Sequence, residues 1–249
     1  MRKRIAVLLA VCVIAACSPA PTAAPKPAGI LLFNGAGASP GDVAAIEAVL
    51  KARGLDYATA NSRQLDAMSA DDLKAYRLLI MPGGNFVKMG QGLEPGTSAT
   101  IRQSVNSGLN YLGVCAGAFL AGASPPNGLY NGFNLTGGAR FSFYAISAQG
   151  VRKAAVKIQP IGAPAADHYW EDGPQLSGWG DVVARYENGT PAVVEGRAGA
   201  GFVILSGIHP EAPDSWRRGL AFKTPASADH AYAAELIDAA LNGAPLPHD

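Results

Sequence analysis

The chain has 249 residues, of which 49% are hydrophobic and only 16% are charged, against roughly 25% charged in an average soluble domain. This composition excludes a disordered acidic or basic chain and is sufficient for a sizeable core. Lys and Arg together number 20, and Asp and Glu number 19. With no excess of positive charge to hold a nucleic acid backbone, we expect no nucleic acid partner.

The N-terminal residues have the pattern of an export signal. Three basic residues (2–4) precede an apolar run from residue 5 to residue 16, which is shorter than the roughly 20 residues of a membrane span but suits a signal-peptide core. The run ends in Ile14-Ala15-Ala16-Cys17, which resembles the lipobox of bacterial lipoproteins. The resemblance implies cleavage after residue 16, lipidation of Cys17 and anchoring in the bacterial cell envelope. The alternative is an ordinary secretory signal with a chance cysteine.

A proline-rich segment separates this signal from the rest of the chain. Residues 18–27 contain four prolines, which favour an extended polyproline stalk. We therefore divide the chain into a signal peptide (1–16), a lipidated stalk (17–27) and one domain (28–249). After processing, Cys115 would be left as a single thiol without a disulfide partner, so it should be either buried or used.

Apolar runs alternate with helical periodicities in the first part of this domain. This alternation is typical of βαβ units that build a parallel sheet covered on both faces. In chain order we predict a strand at 28–33, a helix capped by Asp42 and ended by Gly54, strands at 57–60 and 76–81, a helix at 97–107, and a strand at 111–114.

Turn residues become frequent after about residue 124. The apolar runs at 154–158, 182–186, 192–195 and 201–208 predict a more antiparallel section, and residues 228–241 predict a closing helix. The glycine-rich segment 196–201 is interpreted as a hairpin turn rather than a nucleotide loop, and no cofactor is expected. No cluster of His, Cys and Asp has metal-ligand spacing, so no metal site is predicted.

Residues 113–117 (GVCAG) have the form of a nucleophile elbow with cysteine in place of serine. Glycines two before and two after Cys115 permit the close approach that a strand-to-helix turn requires. The helix dipole favours the thiolate of Cys115, and the N–H of Ala116 would point to where an oxyanion forms. The alternative is a small buried cysteine at a helix start.

Two further motifs could complete a site around this cysteine. His209 and Glu211 follow an apolar run, and residues at i and i+2 of an extended segment share a face, so Glu211 could orient His209 as a base. Pro82, Gly83 and Gly84 follow a buried strand, where parallel sheets bind ligands. Alone, each motif is equally typical of a strand end or a turn. The other histidines (His168, His230 and His248) lack such a context.

The cysteine elbow, the PGG loop and the late HPE motif together resemble the class I glutamine amidotransferase-like superfamily. More closely, residues 29 to about 213 resemble the N-terminal domain of fungal biotin–protein ligases. The resemblance implies a flavodoxin-like three-layer α/β sandwich with a mainly parallel sheet and a Cys115-His209-Glu211 triad, with Gly83, Gly84 and Ala116 around the oxyanion. Tyr169 matches the family's wording and could line the pocket or simply pack as an aromatic. The matching segments are 31–39 (LLFNGAGAS), 80–85 (IMPGGN), 111–119 (YLGVCAGAF), 168–174 (HYWEDGP) and 199–211 (GAGFVILSGIHPE).

We expect no biotin transfer, because the sequence contains no second, ligating domain. The leading hypothesis is a lipid-anchored cysteine hydrolase that acts on a small-molecule substrate with an amide or γ-glutamyl-type bond. Two alternatives stay open: a non-catalytic binding or sensing lipoprotein of the same fold, and a glutaminase-type amidotransferase subunit. The last is disfavoured because amidotransferases usually carry glutamine four residues after the nucleophile, where this chain has Phe119.

Overall fold

The computed structural model describes residues 29–249, and the predicted signal peptide, Cys17 and stalk lie outside the described residues. The described part forms a nine-stranded sheet, a two-stranded sheet and two layers of helices. The strands are β1 (Ile30–Phe33), β2 (Tyr57–Ala60), β3 (Leu78–Met81), β4 (Asn110–Val114), β5 (Ser142–Phe143), β6 (Lys153–Pro160), β7 (Ala166–Glu171), β8 (Pro174–Gln175), β9 (Asp181–Tyr186), β10 (Pro191–Ala198) and β11 (Gly201–Ser206). The helices are α1 (Pro40–Ala52), α2 (Ser62–Asp66), α3 (Ala70–Lys74), α4 (Phe86–Gln91), α5 (Pro95–Asn106), α6 (Ala116–Ala121), α7 (Asp214–Arg217) and α8 (Ala226–Asn242), with a 3₁₀ turn at Ala145–Gln149.

One half of the large sheet is parallel and, apart from its edge strand β2, buried on both faces. Its order is β2-β1-β3-β4-β11, with parallel pairing throughout. Successive residues of β1 enter opposite cores, because side chains alternate along a strand. Leu32 packs in the layer of α1 and α8, whereas Leu31 packs in the layer of α5 and α6. The three-layer α/β sandwich predicted from the sequence is confirmed.

The other half of the sheet is antiparallel, as predicted, and runs β11-β10-β9-β6-β7. The segment 196–201 is indeed a hairpin, since β10 and β11 pair up to Ala198 and Gly201. The edge strand β7, which the sequence reasoning missed, comes back to the parallel half through a bridge between Tyr169 and His209. This half therefore curls, and the end of β7 arrives at the carboxyl edge of the parallel strands.

The start of α1 differs from the prediction. Asp42 does not cap this helix: Ser39 is the N-cap, and its hydroxyl accepts a hydrogen bond from the Asp42 N–H at 3.3 Å. Pro40 occupies the first turn, where its fixed φ suits a helix start. The helix thus begins before Asp42, and the carboxylate of Asp42 is free for another contact.

Among the helices of residues 29–249, none combines the length and apolar character that a membrane crossing requires.

Candidate active site

Cys115 lies at the junction of β4 and α6 in a backbone conformation that is rare for residues other than glycine. Its φ is 48° and its ψ is −101°, a strain that generally costs about 1–3 kcal/mol. A Cβ on Gly113 would lie 2.6 Å from the carbonyl oxygen of Gly117, and one on Gly117 would lie 2.1 Å from that of Met81. The elbow therefore requires both glycines, as the motif predicts.

Two of the three residues predicted to surround the oxyanion, Ala116 and Gly84, lie next to Cys115 or line its cavity, whereas Gly83 has a different role. Ala116 is the first residue of α6, so its N–H has no acceptor within the helix. Gly84 lines the same cavity as Cys115 and has a φ of 142°, which favours glycine. Gly83 has a steric role, because a Cβ there would lie 2.1 Å from Asp42 Oδ1 and 2.6 Å from His209 Cε1.

His209 is buried between two carboxylates. Its Nδ1 lies 2.9 Å from Glu211 Oε1 and 3.0 Å from Asp42 Oδ1, and all three side chains are buried. The contact with Glu211 has the geometry of a hydrogen bond, whereas Asp42 Oδ1 has no aligned hydrogen-bond partner among the described residues. With Nδ1 turned to the carboxylates, Nε2 is the nitrogen left for the cavity that Cys115 also lines.

The pKa values of this cluster follow from burial and from mutual charge. Burial opposes the charged form of His209, but the negative charges of Cys115, Glu211 and Asp42 outweigh it and raise the pKa of His209 well above its usual value. Burial also raises the pKa of Glu211, an effect that His209 only partly offsets. For Asp42 the balance is reversed: contact with His209 overcomes burial and lowers the pKa. The arrangement therefore favours an imidazolium facing an ionised Asp42.

The same three side chains are also a group that could hold a cation, with their ligand atoms within 4.8 Å of one another. The two N···O distances, however, are those of hydrogen-bonded groups. Only the contact with Glu211 is also aligned as a hydrogen bond, so the same donor set can hold either a proton or a cation.

Tyr169 contacts two residues of the site, His209 and Glu171, through hydrogen bonds. Its carbonyl oxygen accepts a hydrogen bond from the His209 N–H at 2.9 Å, and its hydroxyl donates to Glu171 Oε2 at 2.5 Å. Burial, followed by the neighbouring Glu171, raises the pKa of Tyr169, so the hydroxyl stays a donor. The structure places Tyr169 beside the site, and Glu171 forms the cavity wall next to it.

The cavity at Cys115 has a volume of about 480 Å³. One wall is aromatic: Phe119 stacks on Phe86 with ring centroids 4.4 Å apart and meets the edge of Phe143 at 5.1 Å. The rest of the lining is polar, and the Cys115 Sγ lies 3.5 Å from the carbonyl oxygen of Glu171. The lining residues are Ser39, Asp42, Gly84, Asn85, Phe86, Val87, Cys115, Phe119, Phe143, Glu171, Asp172 and His209.

A comparison with protein families identifies the class of this chain. The family model described as "Biotin-protein ligase, N terminal" matches residues 28–157, slightly more than half of the chain. The chain therefore belongs to this family. No curated protein matches the sequence.

Solved structures agree on the fold. A structure titled as a glutamine amidotransferase is 22% identical over 84% of this chain and 99% of its own, with a TM-score of 0.58. A glutamine amido transferase from Methylobacillus flagellatus is 15% identical over 90% and 96% of the two chains, with a TM-score of 0.55. The exo-β-1,4-mannosidase Op5Man5 from Opitutaceae bacterium strain TAV5 is 14% identical over 86% of this chain but only 36% of its own, with a TM-score of 0.54. These likenesses establish a glutamine amidotransferase-like fold.

Proposed function

We propose that this protein is a membrane-anchored cysteine hydrolase that cleaves a small amide or γ-glutamyl-type bond through a thioester. The observation that carries the proposal is the convergence on one cavity of Cys115, strained at a helix N-terminus, and His209, held through Nδ1 by Glu211. Nucleophile, base and orienting carboxylate are the parts of a cysteine-type hydrolytic site. The glutamine amidotransferase-like fold is consistent with this chemistry.

In the proposed reaction the Cys115 thiolate attacks the carbonyl carbon of the amide. The negative charge that develops on the carbonyl oxygen is stabilised by the N–H of Ala116. The imidazolium of His209 gives its Nε2 proton to the leaving nitrogen, the C–N bond breaks, and a thioester remains on Cys115.

Hydrolysis of the thioester uses the same residues in the opposite direction. Neutral His209 accepts a proton from a water molecule as the water oxygen attacks the thioester carbon. The C–S bond breaks, a carboxylic acid leaves, and the thiolate–imidazolium pair is restored. Glu211 and Asp42 keep the proton on Nδ1 during both steps, so that Nε2 alone exchanges protons with the substrate.

The test is turnover of an amide and γ-glutamyl library by the purified protein, followed by mass spectrometry of the released amine. We expect hydrolysis that falls at least about 10³-fold in Cys115→Ala. A Lys74→Ala variant, changed on the exposed helix α3, is the matched control and should keep the wild-type rate. Stable binding of library members without turnover would instead support the non-catalytic binding protein.

The membrane anchor is a separate part of the proposal. It rests on the lipobox-like sequence that ends in Cys17 and on the proline-rich residues after it. We expect wild-type protein in the membrane fraction and Cys17→Ala either released or unprocessed. Wild-type protein found soluble, with a mature N-terminus other than residue 17, would refute the anchor without affecting the hydrolase proposal.

A further inference from the structure

The cavity at Cys115 is negatively charged. Glu171 and Asp172 contribute carboxylates to its wall, and no Lys or Arg occurs among the described residues that line it. Of the positive charges at the site, His209 is already paired with Asp42 and Glu211. Arg152, whose guanidinium lies 3.4 Å from Asp172, has a side chain that is 70% exposed. Because Asp172 already compensates Arg152, a substrate carboxylate would find little positive charge here.

Glu171 is the carboxylate of this wall that stays available. It makes no ion pair within 4.0 Å among residues 29–249, in contrast to Asp172. The Tyr169 hydroxyl holds one oxygen of Glu171, which fixes the carboxylate beside the cavity and leaves the other oxygen for a ligand. The backbone carbonyl of Glu171 is itself 3.5 Å from the Cys115 sulfur, so this residue borders the reacting atoms.

The aromatic part of the lining favours an apolar, flat group. Phe86 and Phe119 form a stacked pair, and Phe143 completes the wall while remaining 42% exposed. A ligand group that covers the exposed part of the Phe143 ring would gain affinity, since burying a large apolar side chain is favourable. Phe119 also stands four residues after Cys115, the position at which amidotransferases usually have a glutamine residue.

From these two walls we propose that the site takes amides that carry a cationic group beside an aromatic or other flat apolar group, and no free carboxylate. This inference rests on the proposed hydrolase function for calling the ligand a substrate, and it narrows the substrate to simple amides rather than γ-glutamyl compounds. The cation pairs with Glu171, and the apolar group lies against Phe119 and Phe143. The amide carbonyl then lies over Cys115.

The experiment uses three N-benzyl chloroacetamide probes with an aminomethyl, methyl or carboxylate group in the para position. The Cys115 thiolate displaces chloride, so a C–S bond forms, a C–Cl bond breaks, and no turnover is needed. Each alkylation rate is divided by the rate of the same probe with N-acetylcysteine. We expect the cationic probe to react about fivefold faster than the neutral probe, as for one exposed ion pair, and the anionic probe to react more slowly still.

Two variants test which residues cause the preference for a cationic and for an aromatic group. In Glu171→Gln the ratio of cationic to anionic rates should fall toward one, whereas Glu187→Gln, changed in an exposed turn, should keep the wild-type ratio. Phe143→Ala should slow all three benzyl probes relative to iodoacetamide and leave the charge ratio unchanged. Because Phe143 is half-exposed, its truncation is expected to leave the fold intact.

The outcomes separate this inference from the proposed function. Equal or reversed rates for the three probes, or an unchanged ratio in Glu171→Gln, overturn the inference even if some amide is hydrolysed. The expected order without turnover of any amide would retain cation recognition at this site and overturn the hydrolase proposal.

Discussion

Replacing Asp42 by asparagine should reduce the reactivity of Cys115, although the two residues lie on different elements. The substitution keeps the shape of the side chain and removes a buried negative charge 3.0 Å from His209 Nδ1. That charge helps hold His209 as the imidazolium, and the imidazolium in turn favours the Cys115 thiolate. Loss of the charge should therefore lower the pKa of His209 and slow the reaction of Cys115.

The size of the effect follows from the distance. Two unit charges 3.0 Å apart attract each other by about 5 kcal/mol at an effective dielectric constant of about 20. Most of this lost attraction is offset by a lower desolvation cost, because a neutral amide is buried in place of an ionised carboxylate. Glu211 also keeps its own contact with His209. We expect a net loss of about 1.4 kcal/mol, which is a tenfold slower alkylation of Cys115.

The assay is alkylation of Cys115 by iodoacetamide at pH 6, followed by intact-protein mass spectrometry. Asp71→Asn is the matched control, because Asp71 is 91% exposed on α3. Circular dichroism should show the same fold for all three proteins. An Asp42→Asn rate equal to wild type would show that Asp42 does not act on the thiolate–imidazolium pair, and the two-carboxylate account of His209 would be wrong.

Three further predictions follow from the same contacts. At pH 6 the alkylation rate of Cys115 should fall in the order wild type, Glu211→Gln, His209→Ala, because Gln still positions the ring whereas Ala removes it; equal rates would mean that His209 does not act on the thiol. Burial and the charge of Arg217 lower the pKa of His168 to about 4, so between pH 6.5 and pH 4 the unfolded chain binds a proton that the folded chain does not. In that window the wild-type free energy of unfolding, measured in urea, should fall by up to about 3 kcal/mol more than that of His168→Gln, and parallel pH profiles would contradict this. Gly117→Ala should destabilise the fold by about 1–3 kcal/mol, since its Cβ would meet the Met81 carbonyl oxygen at 2.1 Å. The control Gly96→Ala, with open space around its Cβ, should not, and equal effects would refute the steric account of the elbow.

Much of the fold could be predicted from the sequence because the buried strands are continuous apolar runs. β1 (Ile30–Phe33), β3 (Leu78–Met81) and β4 (Asn110–Val114) fall within about two residues of their predicted bounds. The short helices α2 (Ser62–Asp66) and α3 (Ala70–Lys74) were not predicted, because five residues are too few to show a helical period. Their starts did carry a signal, since Asn61 and Ser69 each begin a capping box.

The site could be predicted only in part, for a different reason. Cys115 belongs to a local motif, and His209 and Glu211 are two residues apart, so sequence spacing could indicate them. Asp42 is remote from all three in sequence and resembles an ordinary helix cap. What brings Asp42 to His209 is the parallel order of the sheet, together with the missing side chain at Gly83, and neither could be deduced from local spacing.

The sheet order also has a consequence for how this chain can be divided. The family match ends at residue 157, within β6, whereas β11 lies at the centre of the sheet between β4 and β10. A fragment cut at that boundary would leave one edge of β4 unpaired, a surface that promotes aggregation. It would also separate Cys115 from His209, so we expect that residues 28–157 of this chain do not fold into the complete site on their own. Any truncation meant to isolate the domain must retain residues 29–249, because Leu246 donates to the buried Glu195 and Asp249 pairs with Val182.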